Sequence, residues 1–129
     1  MLKSLKLAVV SLFMALFVVA CSSSGPENTA KTYLDGLVAN DEAKILSVIN
    51  YDPNKVVESN AAQGKVKMIL AQFENSVQKH QGFDKYELSK ATILENQATI
   101  KVKMAFKDGT VEVSDLTFEK VNDKWFVKF

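Results

Sequence analysis

Through the first half of the chain beyond Pro26, apolar residues recur at spacings of three and four. Ala30, Tyr33, Leu34, Leu37 and Val38 mark one face of a helix, and Asn40 stands where such a helix would stop. Asp41 opens a weaker segment through Ile45, Leu46 and Ile49, closed by Asn50 to Pro53. Val66, Ile69, Leu70, Phe73 and Val77 predict a third, longer helix from about Ala61 to Lys79, with Lys65, Lys67, Gln72, Asn75 and Lys79 on its other face.

After Gly82 the period changes to two. Ala98, Ile100, Val102, Met104 and Phe106 alternate with Thr99, Lys101, Lys103 and Lys107, the pattern of a strand with one buried and one wet face. Asp108-Gly109 is a two-residue hairpin signal that pairs Phe106 with Val111 and Met104 with Val113. Continued unchanged, that register puts Asp115 in the core and Leu116 and Phe118 in water. A β-bulge near Ser114-Asp115 is therefore expected, setting Leu116 against Val102 and Phe118 against Ile100. Asn122-Asp123 predicts a second tight hairpin, with Val127 opposite Phe118, Phe129 opposite Leu116, and Trp125 on the same face. The expected architecture is α+β: three N-terminal helices packed on a bent four-stranded antiparallel meander.

The first strand poses a choice of loop. A two-residue loop after it sets Lys90 against Lys101, and like charges directly opposite are unfavourable. A three-residue loop, Glu95-Asn96-Gln97, instead sets Tyr86 and Leu88 beside Phe106 and Met104, and is the one expected. Lys90 and Thr92 then face the concave side near Tyr86, and these three residues are the candidate ligand-binding set. A lysine buried there needs a partner or a ligand. The alternative is that Lys90 snorkels at the rim while its stem packs.

The chain opens differently. Met1 to Lys6 form a short positive segment, and Leu7 to Ala20 (LAVVSLFMALFVVA) an apolar run that ends in Cys21 and a Ser/Gly tract. Residues 1–20 thus read as a secretory signal rather than a spanning helix, which needs about 20 apolar residues. Val18-Val19-Ala20-Cys21 resembles the bacterial lipobox. The resemblance implies a diacylglycerol on the Cys21 sulfur and an acylated amino terminus in many bacteria, hence a palmitate-type membrane anchor in the cell envelope. Ser22 follows the cysteine where an aspartate would resemble the inner-membrane retention signal, so the periplasmic side of the outer membrane is favoured if the source has two membranes. Residues 21–28 are expected to be the lipidated cysteine and a short tether, and residues 29–129 the folded domain.

Composition narrows the chemistry. With Cys21 the only cysteine, no intrachain disulfide or thiolate cluster is available. The formal charge is +1 and every basic residue is lysine, which argues against nucleic-acid binding. His80 is the only histidine, so a metal site or a Ser/His/Asp triad would have to be built around it alone; its place after the third helix suits a cationic cap. No catalytic residues, cofactor or metal are expected. Lys101, Lys103 and Lys107 form a stripe that suits anionic headgroups or, as a solvated face, protection against aggregation. Trp125 is expected in the core.

Ala30 to Leu37 followed by Asn40-Asp41, and the closing Gly109 to Phe129 segment with Asp123-Lys124-Trp125, resemble small bacterial lipoproteins of NTF2-like, cystatin-like fold. That resemblance implies a cone between helices and concave sheet, and many such proteins have no assigned activity. The residues by which steroid-isomerising enzymes of this fold work have no counterparts here. An outward sheet face reading Thr99, Lys101, Lys103, Lys107, Glu112, Thr117 and Glu119, interrupted by Val121 and Phe126, suggests a monomer. The expected function is a non-enzymatic envelope lipoprotein that binds a partner protein or a small apolar ligand. The alternatives are a cone-type hydrolase or isomerase, and a passive structural component of an envelope assembly.

Overall fold

The computed structural model describes residues 25–129, so the signal segment and Cys21 lie outside the described residues. Helix α1 spans Pro26–Ala39, with proline at its first turn, where the missing amide costs nothing. It ends at Asn40, whose left-handed backbone (φ 54°) lets the Asp41 amide reach the Gly36 carbonyl at 2.8 Å. Pro26 is buried, so the helix takes up residues expected to belong to the tether. Asp41 then caps α2 (Glu42–Leu46), accepting a hydrogen bond from the Lys44 amide at 3.1 Å. Helix α3 runs from Val56 to Lys79 and so begins well before Ala61. The apolar period missed its first turn because Val56 and Val57 face solvent.

The sheet order is β1-β3-β4-β5, with β2 also pairing with β3; the strands are β1 Phe83–Leu88, β2 Thr92–Leu94, β3 Gln97–Phe106, β4 Val111–Val121 and β5 Lys124–Lys128. All pairs are antiparallel. Leu34, Ile45, Val66, Ile100, Val102 and Phe118 are wholly buried between helices and sheet, and Tyr33, Leu37, Trp125 and Val127 complete the core. The α+β architecture expected from the pattern is the one observed, and it forms the cone that the resemblance implied.

Its registers differ from expectation at three places. The β3–β4 connection has three residues, Lys107-Asp108-Gly109, with Gly109 at φ 90°; the Gly109 amide donates to the Phe106 carbonyl and the Phe106 amide to the Thr110 carbonyl. The extra residue sits in this turn, so no bulge is needed at Ser114-Asp115 and none occurs. Val111 lies opposite Ala105 and Val113 opposite Lys103, on the outward face, where they are 48% and 58% exposed. Glu112, opposite Met104, is on the inner side. Asp115 faces Lys101 outside, with its carboxylate 3.3 Å from the ammonium, while Leu116 pairs with Ile100 and Phe118 with Ala98.

The first strand is broken in two. Glu95-Asn96 is a two-residue turn, Glu95 adopting φ 57°, and the clash of Lys90 with Lys101 is avoided by interrupting the strand. Ser89 takes the place opposite Lys101, exchanging two hydrogen bonds of 2.9 Å with its backbone, one through the Ser89 hydroxyl. Tyr86 consequently pairs with Met104 and Leu88 with Val102. The third difference is Phe129, which lies beyond the last β4–β5 pair and is half exposed rather than core. The Asn122-Asp123 hairpin and the pairing of Val127 with Phe118 are as expected.

Candidate functional site

Tyr51, Asp52 and Pro53 form the segment between α2 and α3, a stretch too polar and turn-rich to enter the core. It is fastened at both ends. The Val127 amide of β5 donates to the Val48 carbonyl at 2.8 Å, and Ile49 forms an isolated parallel bridge with Val127. Farther on, the Asp52 carboxylate accepts from the Asn54 amide, and the Glu58 carboxylate, from the first turn of α3, accepts from the Asp52 amide, both at 2.9 Å. Between this segment, the first half of α3 and the edge of β5 lies an open cleft of about 820 Å³.

Ile49, Ala61, Ala62, Val127 and the rings of Tyr51 and Phe129 give the cleft its apolar surface. Asp52, Glu58 and Glu119 bring carboxylates to it, and Lys65 and Lys128 bring ammonium groups. The Lys65 Nζ stands 5.4 Å from the centroid of the Phe129 ring, which in turn packs at 6.1 Å against Tyr33. A mixed apolar and charged groove of this size suits a small amphipathic molecule or a short peptide segment. Among the described residues no charged side chain is buried, and the interior of the cone is filled by hydrocarbon and aromatic groups, with the Tyr33 phenol and the Trp125 indole among them.

Burial pushes the Tyr33 phenol up to about 12. An unfolded chain releases this proton near 10, so below that pH both states keep it and stability is unaffected. Between these values the unfolded state alone ionises, and stability falls as pH rises. The expected loss on that interval is on the order of 2 kcal/mol beyond that of Tyr33→Phe. Urea denaturation of both proteins at about pH 9 and about pH 11.5 measures it; equal losses in the two would show that the phenol is not the cause.

The residues singled out in the sequence do not converge. Lys90 is exposed at the break between β1 and β2, and Thr92 pairs with Thr99 on the outward face, so neither faces the concave side. Tyr86 is half-buried on the inner side, its hydroxyl donating to the Asp35 carboxylate at 2.6 Å. His80 caps α3, with Nδ1 2.9 Å from the Asp108 carboxylate and Nε2 3.6 Å from that of Glu112, and its ring packs on Phe106. The Thr110 amide, with a smaller contribution from His80, holds the Asp108 carboxyl below the usual range. This group fastens the end of α3 to the β3–β4 turn. Trp125 is core, as expected. Cys21 lies outside the described residues. Sequence reasoning missed the cleft, for which the only signals were the turn residues Asn50 to Pro53 next to the exposed start of α3.

The profile described as a domain of unknown function, DUF4878, matches residues 19–128. The chain belongs to this family. No curated protein matches the sequence. The DUF4878 chain is similar to a Campylobacter jejuni protein whose crystal structure at 2.00 Å carries the provisional name NTF2-like transpeptidase, with 23% identity and a TM-score of 0.68 over 80% of this chain and 96% of that one. It is also similar to a solved chain whose label names NTF2, at 16% identity and a TM-score of 0.52, covering 80% of this chain and 95% of the other. At these identities the likeness concerns the fold, so this DUF4878 domain is NTF2-like in architecture.

Proposed function

We propose that the protein is a lipid-anchored, non-enzymatic component of the bacterial envelope whose NTF2-like domain binds a small amphipathic ligand, or a short segment of a partner protein, in the cleft between α3 and β5. The observation that carries the binding role is the cleft itself: about 820 Å³ of open volume with an apolar surface and charges of both signs. The lipobox-like Val18 to Cys21 stretch supports the anchor, and the absence of retention-type aspartate at Ser22 favours the outer membrane where there are two. The non-enzymatic reading is supported by a cone interior that, among the described residues, buries no charged side chain and no histidine.

The test is native mass spectrometry of the full chain taken from its host membrane in mild detergent. A molecule or peptide should accompany the wild type and be lost from Ala61→Trp, which fills the cleft from an exposed position on α3 while the thermal midpoint stays within a few degrees. A wild-type chain repeatedly recovered with an empty cleft, or a companion retained by the tryptophan variant, would overturn the assignment.

A further inference from the structure

Three turns of the fold meet at one end of the domain. The Thr29 hydroxyl, in the first turn of α1, donates to the Trp125 carbonyl at 3.1 Å. Trp125 pairs with Lys120 beside the Asn122-Asp123 turn, and the Lys120 amide donates to the Asn96 carbonyl of the Glu95-Asn96 turn at 2.8 Å. The N-terminus of α1, the β4–β5 hairpin and the β2–β3 hairpin therefore share an end. The opposite end carries the Lys107-Asp108-Gly109 turn and His80.

This end is where the chain arrives from Cys21. Three serines lie between Cys21 and Gly25, and the four fully extended residue steps span at most about 14 Å. Two of the domain's exposed large apolar side chains stand here, side by side at a hairpin tip. Leu94, on the outward face of the β2–β3 hairpin tip, is 76% exposed, and Ile93, on the inner face, is 54% exposed. Two lysines flank them from the neighbouring hairpin: Lys120 lies over the Trp125 ring and Lys124 over the Phe126 ring, at 5.9 and 5.2 Å. Glu95 and Asp123 share these tips, and Asp123 sits 4.0 Å from Lys120, so the end is not strongly cationic and apolar insertion must supply most of the attraction.

We infer that this end is a membrane-contact surface: the β2–β3 hairpin tip inserts Ile93 and Leu94 into the interfacial region of the bilayer that holds Cys21, with Lys120 and Lys124 at the level of the lipid phosphates. The inference rests on the anchoring proposed above. It orients the domain, with the β3–β4 turn pointing away from the bilayer. The expected lysine stripe, Lys101, Lys103 and Lys107, is not part of this surface: Lys101 is paired with Asp115, and Lys103 lies opposite Glu87. Side chains with apolar stems and cationic heads suit the interface because each end finds its preferred medium.

The test uses the full, lipidated chain in vesicles of phosphatidylethanolamine and phosphatidylglycerol, some with brominated acyl chains. Because the lipid occupies the Cys21 sulfur, a cysteine introduced elsewhere is the only free thiol. An environment-sensitive fluorophore is attached to Leu94→Cys or, as control, to Val111→Cys, which is exposed at the far end of the eleven-residue β4, about 33 Å along the strand. The label at position 94 should shift to the blue and be quenched severalfold by brominated chains, and that at position 111 should behave as in water. Equal, water-like emission from both overturns the contact surface, and a blue shift without bromine quenching overturns it in favour of protein contact. The mass of the N-terminal peptide from the same sample separates the two ideas: an unmodified Cys21 removes the anchor and the orientation with it, whereas a lipidated Cys21 with a water-like label at position 94 removes only the orientation.

Discussion

Replacing Phe118 with alanine should cost about 3 to 5 kcal/mol, the range for emptying a fully buried aromatic site. Phe118 is wholly buried, lies between Ala98 on β3 and Val127 on β5, and is the largest of the fully buried side chains. Its cross-strand partners Ala98 and Val127 belong to paired strands, and the core around it can close the space only in part. Domains of this size have about 5 to 15 kcal/mol of stability in all, so Phe118→Ala should lower the urea midpoint by about a fifth or more. Phe118→Leu, which keeps most of the volume, should recover over half of the loss. A midpoint near wild type for the alanine variant would mean that the site collapses freely and that the cone is less tightly packed than described.

Gly36→Val should be nearly as damaging, for the opposite reason. A glycine inside a helix is ordinarily a liability of about 1 kcal/mol relative to alanine, so a substitution here would be expected to help. At this position α1 and α2 approach so closely that a Cβ would lie 2.7 Å from the Ile45 Cγ1 and 3.3 Å from the Asp41 carbonyl oxygen. Ile45 is wholly buried and cannot retreat. Overpacking of this kind costs about 3 kcal/mol at its upper end, and the valine's branched carbon adds crowding against the Asp41 backbone. Equilibrium unfolding of Gly36→Val, beside Gly64→Val at a helical glycine with open space around it, checks the sign: only the first should lose stability on that scale.

Periodicity alone located all three helices, the Asn40 stop and the Asp41 cap, since each depends on residues within one turn of the helix. The strands were legible as strands because Ala98 to Phe106 alternate without interruption. The β4–β5 pairing was legible too, but those of β3 with β4 and with β1 were not, and the cause is local. Asp-Gly permits both a two-residue turn and a three-residue turn closed by a left-handed glycine, and one residue of difference exchanges the two faces of everything that follows. The parity of Leu116 and Phe118 revealed that an extra residue was needed, but parity does not say where along β4 it goes. Lys90 illustrates the same limit: repulsion from Lys101 favoured a three-residue loop, yet the two-residue turn forms and a break in the strand relieves the clash instead. The cleft was illegible because its walls come from segments far apart in sequence, joined by the Val127 to Val48 hydrogen bond, and because the half-exposed Phe129 breaks the pattern that a buried element would show.

The bond between Thr29 and Trp125 joins residues separated by 96 positions. The first helix of the domain is thus secured by its last strand, and β5 also holds the segment after α2. During synthesis, α1 and α2 have no complete surface to pack on until β5 is available, and closing so long a loop is entropically unfavourable until the contacts that reward it can form. The contacts that join the two ends of the domain can therefore form only once β5 has been made, whereas the hairpins β3–β4 and β4–β5 join neighbours in sequence.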